Sequence, residues 1–158
     1  MSAPLPDHAP AAADRARWMS VLARAPADEL ARRAAALPTD TLWLRRPETG
    51  LVMVRGRAGG TGAQFNVGEM AVTRCALRLA DGTVGQAYIA GRDATHAERA
   101  AVIDALMQQA AGCGQLPAAW QDWIAPLEAG LTQRRAEVAG RAAATRVEFF
   151  TVVRGENA

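Results

Sequence analysis

Lysine is missing from this 158-residue chain: its eighteen basic residues are all arginine, set against sixteen acids for a net charge of +2. That absence excludes a Schiff-base lysine and a Walker-type phosphate loop, both of which need the amine. So small a net charge gives no ground for nucleic acid as a partner. The arginine bias suits protein or phosphate recognition, because a guanidinium offers several donors in one plane. Genomic base composition accounts for it equally well. Cysteine is scarce too. Cys75 and Cys113 fall in different expected elements with no CxxC or His-rich cluster, so neither a metal site nor a disulfide scaffold is indicated. Both are expected as buried or half-buried thiols in a reducing cytoplasm. No apolar run approaches the ~18 residues that cross a bilayer. Met1–Ala13 lacks the basic region and apolar stretch of a secretory signal, and its Pro and Ala content reads as a disordered leader. Residues 14–158 then form one domain.

The most informative stretch that is present runs from Glu48 to Phe65, where an alternating apolar strand enters a glycine-rich loop edged by Arg55 and Arg57. Gly56, Gly59, Gly60 and Gly62 fall within seven residues, and ordering so many glycines is costly in backbone entropy. A loop of this kind either adopts unusual dihedrals or lets something approach its backbone closely. Beside arginines, that something is an anion or a partner's carboxylate. The order is not strand–GxGxxG–helix, since a strand follows, so a self-sufficient dinucleotide site is disfavoured. A plain chain reversal remains the alternative.

Around this loop the periodicity predicts an α+β domain. Asp14 is an N-cap candidate for a helix with Trp18, Val21, Leu22 and Ala25 on one face, and Pro26 opens a second helix carrying Leu30, Ala34 and Leu37, closed by Pro38. Their modest apolar faces make docking on a partner chain an expectation beside packing on their own sheet. From Thr41 the period becomes two: Thr41–Arg46, Leu51–Arg57, Glu69–Leu79 and Thr83–Ala90 read as strands, with turns at Pro47–Gly50 and at Asp81-Gly82. A helix capped by Asp93 or Thr95 runs to about Ala111, with Ala100, Ile103, Leu106 and Met107 as its apolar stripe, and Gly112-Cys113-Gly114 ends it. A Pro117 segment holding Trp120 and Trp123 and a final helix over about 127–144 follow. Thr145–Val153 alternates as a last strand, giving an antiparallel sheet of about four to five strands with helices packed on it.

Few residues invite chemistry. Arg74 shares a face with Met70 and Val72, so it needs a carboxylate or phosphate partner, which Glu48 or Glu69 can supply. His96 opens a helix beside Asp93 and Glu98, a place for an acid–base histidine or for a packed helix end. Trp120 and Trp123 suit a partner-binding hot spot or the core. Phe149 and Phe150 point to opposite faces of the last strand. No Ser/His/Asp triad, metal-ligand cluster or paired carboxylates emerge, which favours a structural or binding subunit over a free-standing enzyme. The competing class is a solitary module that binds a phosphorylated small molecule through the arginine-edged loop.

Four pieces of the sequence, in order, resemble the PhnG family, the small subunit of the bacterial carbon–phosphorus lyase core complex. They are Arg17-Trp18-Met19-Ser20-Val21-Leu22-Ala23; Val72-Thr73-Arg74; Gly91-Arg92-Asp93 with His96-Ala97-Glu98; and the tail from Val147 to Ala158. The resemblance covers about residues 14 to 158, with Gly112–Leu131 matching only loosely. It implies a cytoplasmic subunit assembled with PhnH-, PhnI- and PhnJ-type partners in a twofold-symmetric complex, joined by nucleotide-binding-cassette components. Such a complex acts on ATP with magnesium, replacing adenine by an alkylphosphonate. A separate partner later uses S-adenosylmethionine and an iron–sulfur cluster to cut the carbon–phosphorus bond. The resemblance places the nucleosidase-type chemistry in a larger subunit, so this chain is expected to supply no catalytic residue, bind no cofactor or metal alone and be inactive in isolation. The expected contact region is Arg57 with Gly59, Gly60, Thr61 and Gly62, followed by Arg74, Arg92 and His96.

Overall fold

The computed structural model describes residues 10–34, 40–57 and 61–145. In chain order these form α1 (Ala12–Arg24), α2 (Ala27–Arg33), β1 (Thr41–Arg57), β2 (Gln64–Leu79), β3 (Val84–Ala90), α3 (Ala94–Gly112), α4 (Leu116–Ala119), a π-helical turn (Trp120–Ile124) and α5 (Ala125–Ala144). The class is α+β, and the strands lie in the order β1-β2-β3, each antiparallel to its neighbour.

The strand count differs from expectation because Pro47–Gly50 is not a turn. β1 runs through it as one strand of 17 residues. Register shifts against β2 between Trp43 and Arg45 and between Arg45 and Glu48 absorb the irregularity. A proline is tolerated there because β1 lies at the edge of the sheet among the described residues, where a missing N–H and a bulge cost little. Two expected strands are therefore one, and it pairs with β2 in a single long hairpin whose tip is the glycine loop. The expected last strand, Thr145–Val153, and its Phe149 and Phe150 fall beyond Thr145, outside the described residues. So do Leu37 and Pro38. The Asp81-Gly82 turn forms as read: Gly82 adopts φ 95°, and the Asp81 carboxylate accepts from the Thr83 N–H at 3.0 Å and its hydroxyl at 2.7 Å.

One face of the sheet carries the core. Thr73, Cys75, Leu77 and Leu79 of β2 alternate inward with Ala87 and Ile89 of β3, all buried. Helix α3 covers them. Its start is set by Asp93, whose carboxylate accepts from the His96 N–H at 2.8 Å. Gly114, at φ 70°, follows its end. The helix approaches β3 so closely that a Cβ on Gly85 would stand 1.9 Å from the Ala101 carbonyl oxygen, which leaves room for glycine alone. Ala97, Ala100, Ala101, Val102, Ile103, Ala105 and Met107 are buried, a wider apolar surface than the single stripe expected.

The apolar faces of the N-terminal helices pack on this chain's own core. Trp18, Val21, Leu22 and Leu30 join the same core as α3 and the sheet. Helix α1 begins at Ala12 with Ala11 as its N-cap, so Asp14 sits in the first turn instead of capping it. The anchor is Asp104, a fully buried carboxylate that the helical pattern alone leaves on the polar side of α3. Its Oδ1 accepts from Arg15 Nε at 3.2 Å and Trp18 Nε1 at 2.8 Å. Its Oδ2 accepts from Arg15 Nη2 at 2.8 Å, the Gln86 N–H at 2.9 Å and Gln108 Nε2 at 3.2 Å. One charge thus ties α1, α3 and β3 together, and its lone pairs are satisfied. Gln108 Nε2 also donates to the Val84 carbonyl at 2.8 Å, so α3 occupies backbone groups on the outer edge of β3.

Candidate functional site

Among the described residues, beyond the row Gly50–Val72–Ala90 the two long strands leave the helices and continue as a two-stranded arm. All residues of β2 from Gln64 to Met70 are exposed. The arm is apolar on both faces. Val52, Val54 and Met70 lie on one and Leu51 and Met53 on the other, as the strand register dictates. Leu51, Met53, Phe65 and Val67 are all more than half exposed. A further register shift between Val54 and Arg55 bends the ladder. There Gly56 leaves space for Val67, whose Cγ2 would lie 2.6 Å from any Cβ at that position.

The tip closes on itself. Arg57 Nη1 donates to the Gly62 carbonyl at 3.1 Å, across the glycine loop. Thr61 is exposed and Gly62 half-buried, while Gly59 and Gly60 lie outside the described residues. Arg57 is therefore a closing contact of the loop as well as its charge.

Arg74 finds one of the two carboxylates expected for it. Its Nε donates to Glu48 Oε1 at 2.8 Å, and Arg45 Nη1 donates to the same oxygen at 2.6 Å. The Arg45 and Arg74 hydrogen bonds hold the Glu48 carboxyl below its ordinary range. The triad is half exposed on the sheet face away from the helices. By strand rise it lies about 30 Å from the arm tip.

Arg92 and His96 stand elsewhere again. Gly91, at φ 94°, donates its N–H to the Ala71 carbonyl at 2.8 Å and accepts the Thr73 hydroxyl at 2.8 Å, which fixes the exit from β3. Arg92 is exposed and makes no side-chain hydrogen bond among the described residues. His96 is buried, with Nε2 2.8 Å from the Leu22 carbonyl. A carbonyl only accepts, so Nε2 carries the proton and the ring pins α3 to α1. This is the packing role, and it withdraws His96 from any contact surface. Trp120 and Trp123 pack partly against the core, with the Arg17 guanidinium 4.7 Å from the Trp120 ring and bonded to both oxygens of Glu128. Cys75 is buried, which pushes its thiol up to about 11, whereas Cys113 is exposed, contrary to the expectation for it.

The candidates thus do not converge. Arg57 with its loop, the Arg74 triad and Arg92 occupy separate places along one sheet. Two open grooves among the described residues contain none of them, one at Asp14, Arg17, Pro117 and Trp120, another at Arg24, Leu131, Arg134 and Val138. Among the described residues no three His, Cys, Asp or Glu side chains gather as metal ligands, and no helix is long and apolar enough to cross a membrane. Such an arrangement can grip a surface and present a loop. The features that sequence reasoning missed are the Asp104 hub and the arm. The consecutive apolar run Leu51-Val52-Met53-Val54, which supplies both faces of a strand with no element to cover them, was the available signal for the arm.

The model of a family described as "Phosphonate metabolism protein PhnG" matches residues 13–155. A protein of Rhizobium meliloti (strain 1021), alpha-D-ribose 1-methylphosphonate 5-triphosphate synthase subunit PhnG, is 44% identical over 147 residues, covering 92% of each chain.

Proposed function

The chain belongs to the PhnG family, and from that premise we propose that it is an accessory subunit of an alkylphosphonate ribose triphosphate synthase in the carbon–phosphorus lyase pathway. The observation that carries this reading is its 44% identity to a named synthase subunit across nearly all of both chains. The reaction joins a phosphonate oxygen to ribose C1 of ATP as the bond from C1 to adenine breaks, with a proton going to the departing base. The partners are PhnH-, PhnI- and PhnJ-type subunits in a twofold-symmetric cytoplasmic complex with nucleotide-binding-cassette components. ATP with magnesium, and later S-adenosylmethionine and an iron–sulfur cluster, are held by those partners. The dispersal of the candidate residues along the sheet favours that division of labour.

This chain's part is to close a neighbour's pocket. Transfer to phosphonate rather than to water needs an enclosed, shaped site, and a reaching arm supplies enclosure without supplying an acid or base. Arg57 and the Gly59–Gly62 loop are the segment delivered there, with Arg74 and Arg92 gripping the partner farther back. A solitary anion-binding module fits less well, because the relative that is 44% identical is named as a synthase subunit. In the reconstituted complex given ATP and methylphosphonate, Arg57→Ala should lower formation of the ribose phosphonate product about tenfold or more, as loss of one positioning contact does, while adenine release to water persists. Adenine displacement by the isolated chain, or full transfer by partners lacking it, would refute the assignment.

A further inference from the structure

Among the described residues the helices cover one face of the sheet and leave the other without a helix. In the register, the rows on the bare face are Leu42–Arg78–Val84, Arg45–Ala76–Gln86, Glu48–Arg74–Tyr88, Gly50–Val72–Ala90 and Val52–Met70. A sheet with one solvated face ordinarily carries polar side chains there. This one exposes Leu42, Met70 and Tyr88, each between two-fifths and three-fifths accessible. Val72, in the same set of rows, is by contrast buried.

We propose that this helix-free face is the seat of a different subunit, one presenting an apolar strip bordered by carboxylates; the inference rests on the reading of the chain as part of a complex. Size is the first support. A ladder of 17 residues with the 7-residue β3 alongside spans roughly 600 Å2, close to the ~800 Å2 per side of ordinary specific interfaces. Charge selects the occupant. The rows carry Arg45, Arg74 and Arg78 against the single carboxylate of Glu48. A second copy of this chain seated face to face would therefore set arginines against arginines, which like-charge repulsion opposes. An acidic rim on another chain would be matched. Glu48 already holds Arg45 and Arg74 in place, so less side-chain freedom is lost when the partner arrives. The same face continues into the arm, so seating a partner on it would aim the glycine tip along that partner's surface.

The test uses the full chain, tagged and co-expressed with the other synthase subunits. Tyr88→Asp should lower the yield of assembled complex about tenfold or more, the scale of a buried aromatic anchor. Arg78→Glu should do the same through charge alone. Val138→Asp, on the exposed side of α5, should assemble normally. Thermal melting of each full-length variant on its own should match the parent, which separates lost docking from lost folding. Parent-level yield from both Tyr88→Asp and Arg78→Glu would overturn the inference. So would a homodimer in light scattering that Tyr88→Asp splits while partner capture survives, or capture by phosphatidylserine vesicles that the variant abolishes with assembly intact. If even the unaltered chain fails to assemble, the proposed function falls first; if only the variants assemble unexpectedly, the docking face alone is wrong.

Discussion

β1 and β2 pair with each other along their whole length, yet the two halves of that hairpin live under different physics. Near Leu77 and Cys75 the ladder is clamped beneath α3, with buried side chains and a glycine fitted against a helix carbonyl. Past Val72 the same strands carry an equally apolar sequence, but no described element lies over them and their side chains stand in solvent. The comparison separates what local pattern specifies from what packing specifies. Alternation and cross-strand pairing suffice to build a ladder in both halves. Only the clamped half converts its apolar residues into folding stability, at roughly 1.5–3 kcal/mol for each large side chain fully buried. In the free half the apolar surface stays exposed among the described residues.

Substitutions should divide along the same line. The largest effect belongs to the clamp: Asp104→Ala strands the Arg15 guanidinium, the Trp18 indole and the Gln86 amide together. It should cost about 3–5 kcal/mol, the scale for a broken buried ion pair, read as a lower urea midpoint. A loss under ~1 kcal/mol would mean that water substitutes freely for the carboxylate. A paired glycine experiment comes next. Gly85→Ala forces a methyl onto the Ala101 carbonyl and should cost ~3 kcal/mol. Gly68→Ala in the arm, with no atom within 4 Å of the added carbon, should stay within ~0.5 kcal/mol. Equal losses at the two sites would erase the distinction between halves.

The smallest effect is at the boundary between them. The Glu48 carboxyl is held below its usual 4.5 by Arg45 and Arg74. A depressed carboxylate favours the folded state above its unfolded pKa, and that contribution fades as pH falls through the lower folded value. Carbon-detected NMR should place the Glu48 midpoint below 4.5 and move it upward in Arg74→Ala. An unmoved midpoint would show the pair to be transient.

Much of the clamped half was legible in the residues. Asp93 as a cap, Gly112 and Gly114 as a stop, Asp81-Gly82 as a turn and Glu48 as a partner for Arg74 each depend on neighbours a few residues away or one strand across. The rest depended on context that a pattern does not carry. Pro47-Glu48-Thr49-Gly50 has the composition of a turn, and only its place on an edge strand lets a bulge carry the chain straight through. Asp104 has the spacing of a solvent-facing residue until Arg15 and Trp18, nearly ninety positions earlier, come to meet it. The α1–α2 pair offers a stripe that fits either its own core or a foreign one, and the Asp104 network is what keeps it at home. Of the candidate site, the arginines and the glycine loop were visible as types. Their separation along a sheet was not, because the length of the hairpin hinged on the missing turn.

The way α3 reaches around β3 has a bearing on how this protein avoids unwanted polymerisation. With the Gln86 backbone N–H given to Asp104 and the Val84 carbonyl taken by Gln108, a stray strand approaching that border finds two of its hydrogen-bonding partners already spoken for. The opposite border begins with a kinked, proline-bearing segment that offers a poor template. A sheet so bordered can expose apolar side chains on its face while these stretches of its margins offer a poor template for templated stacking.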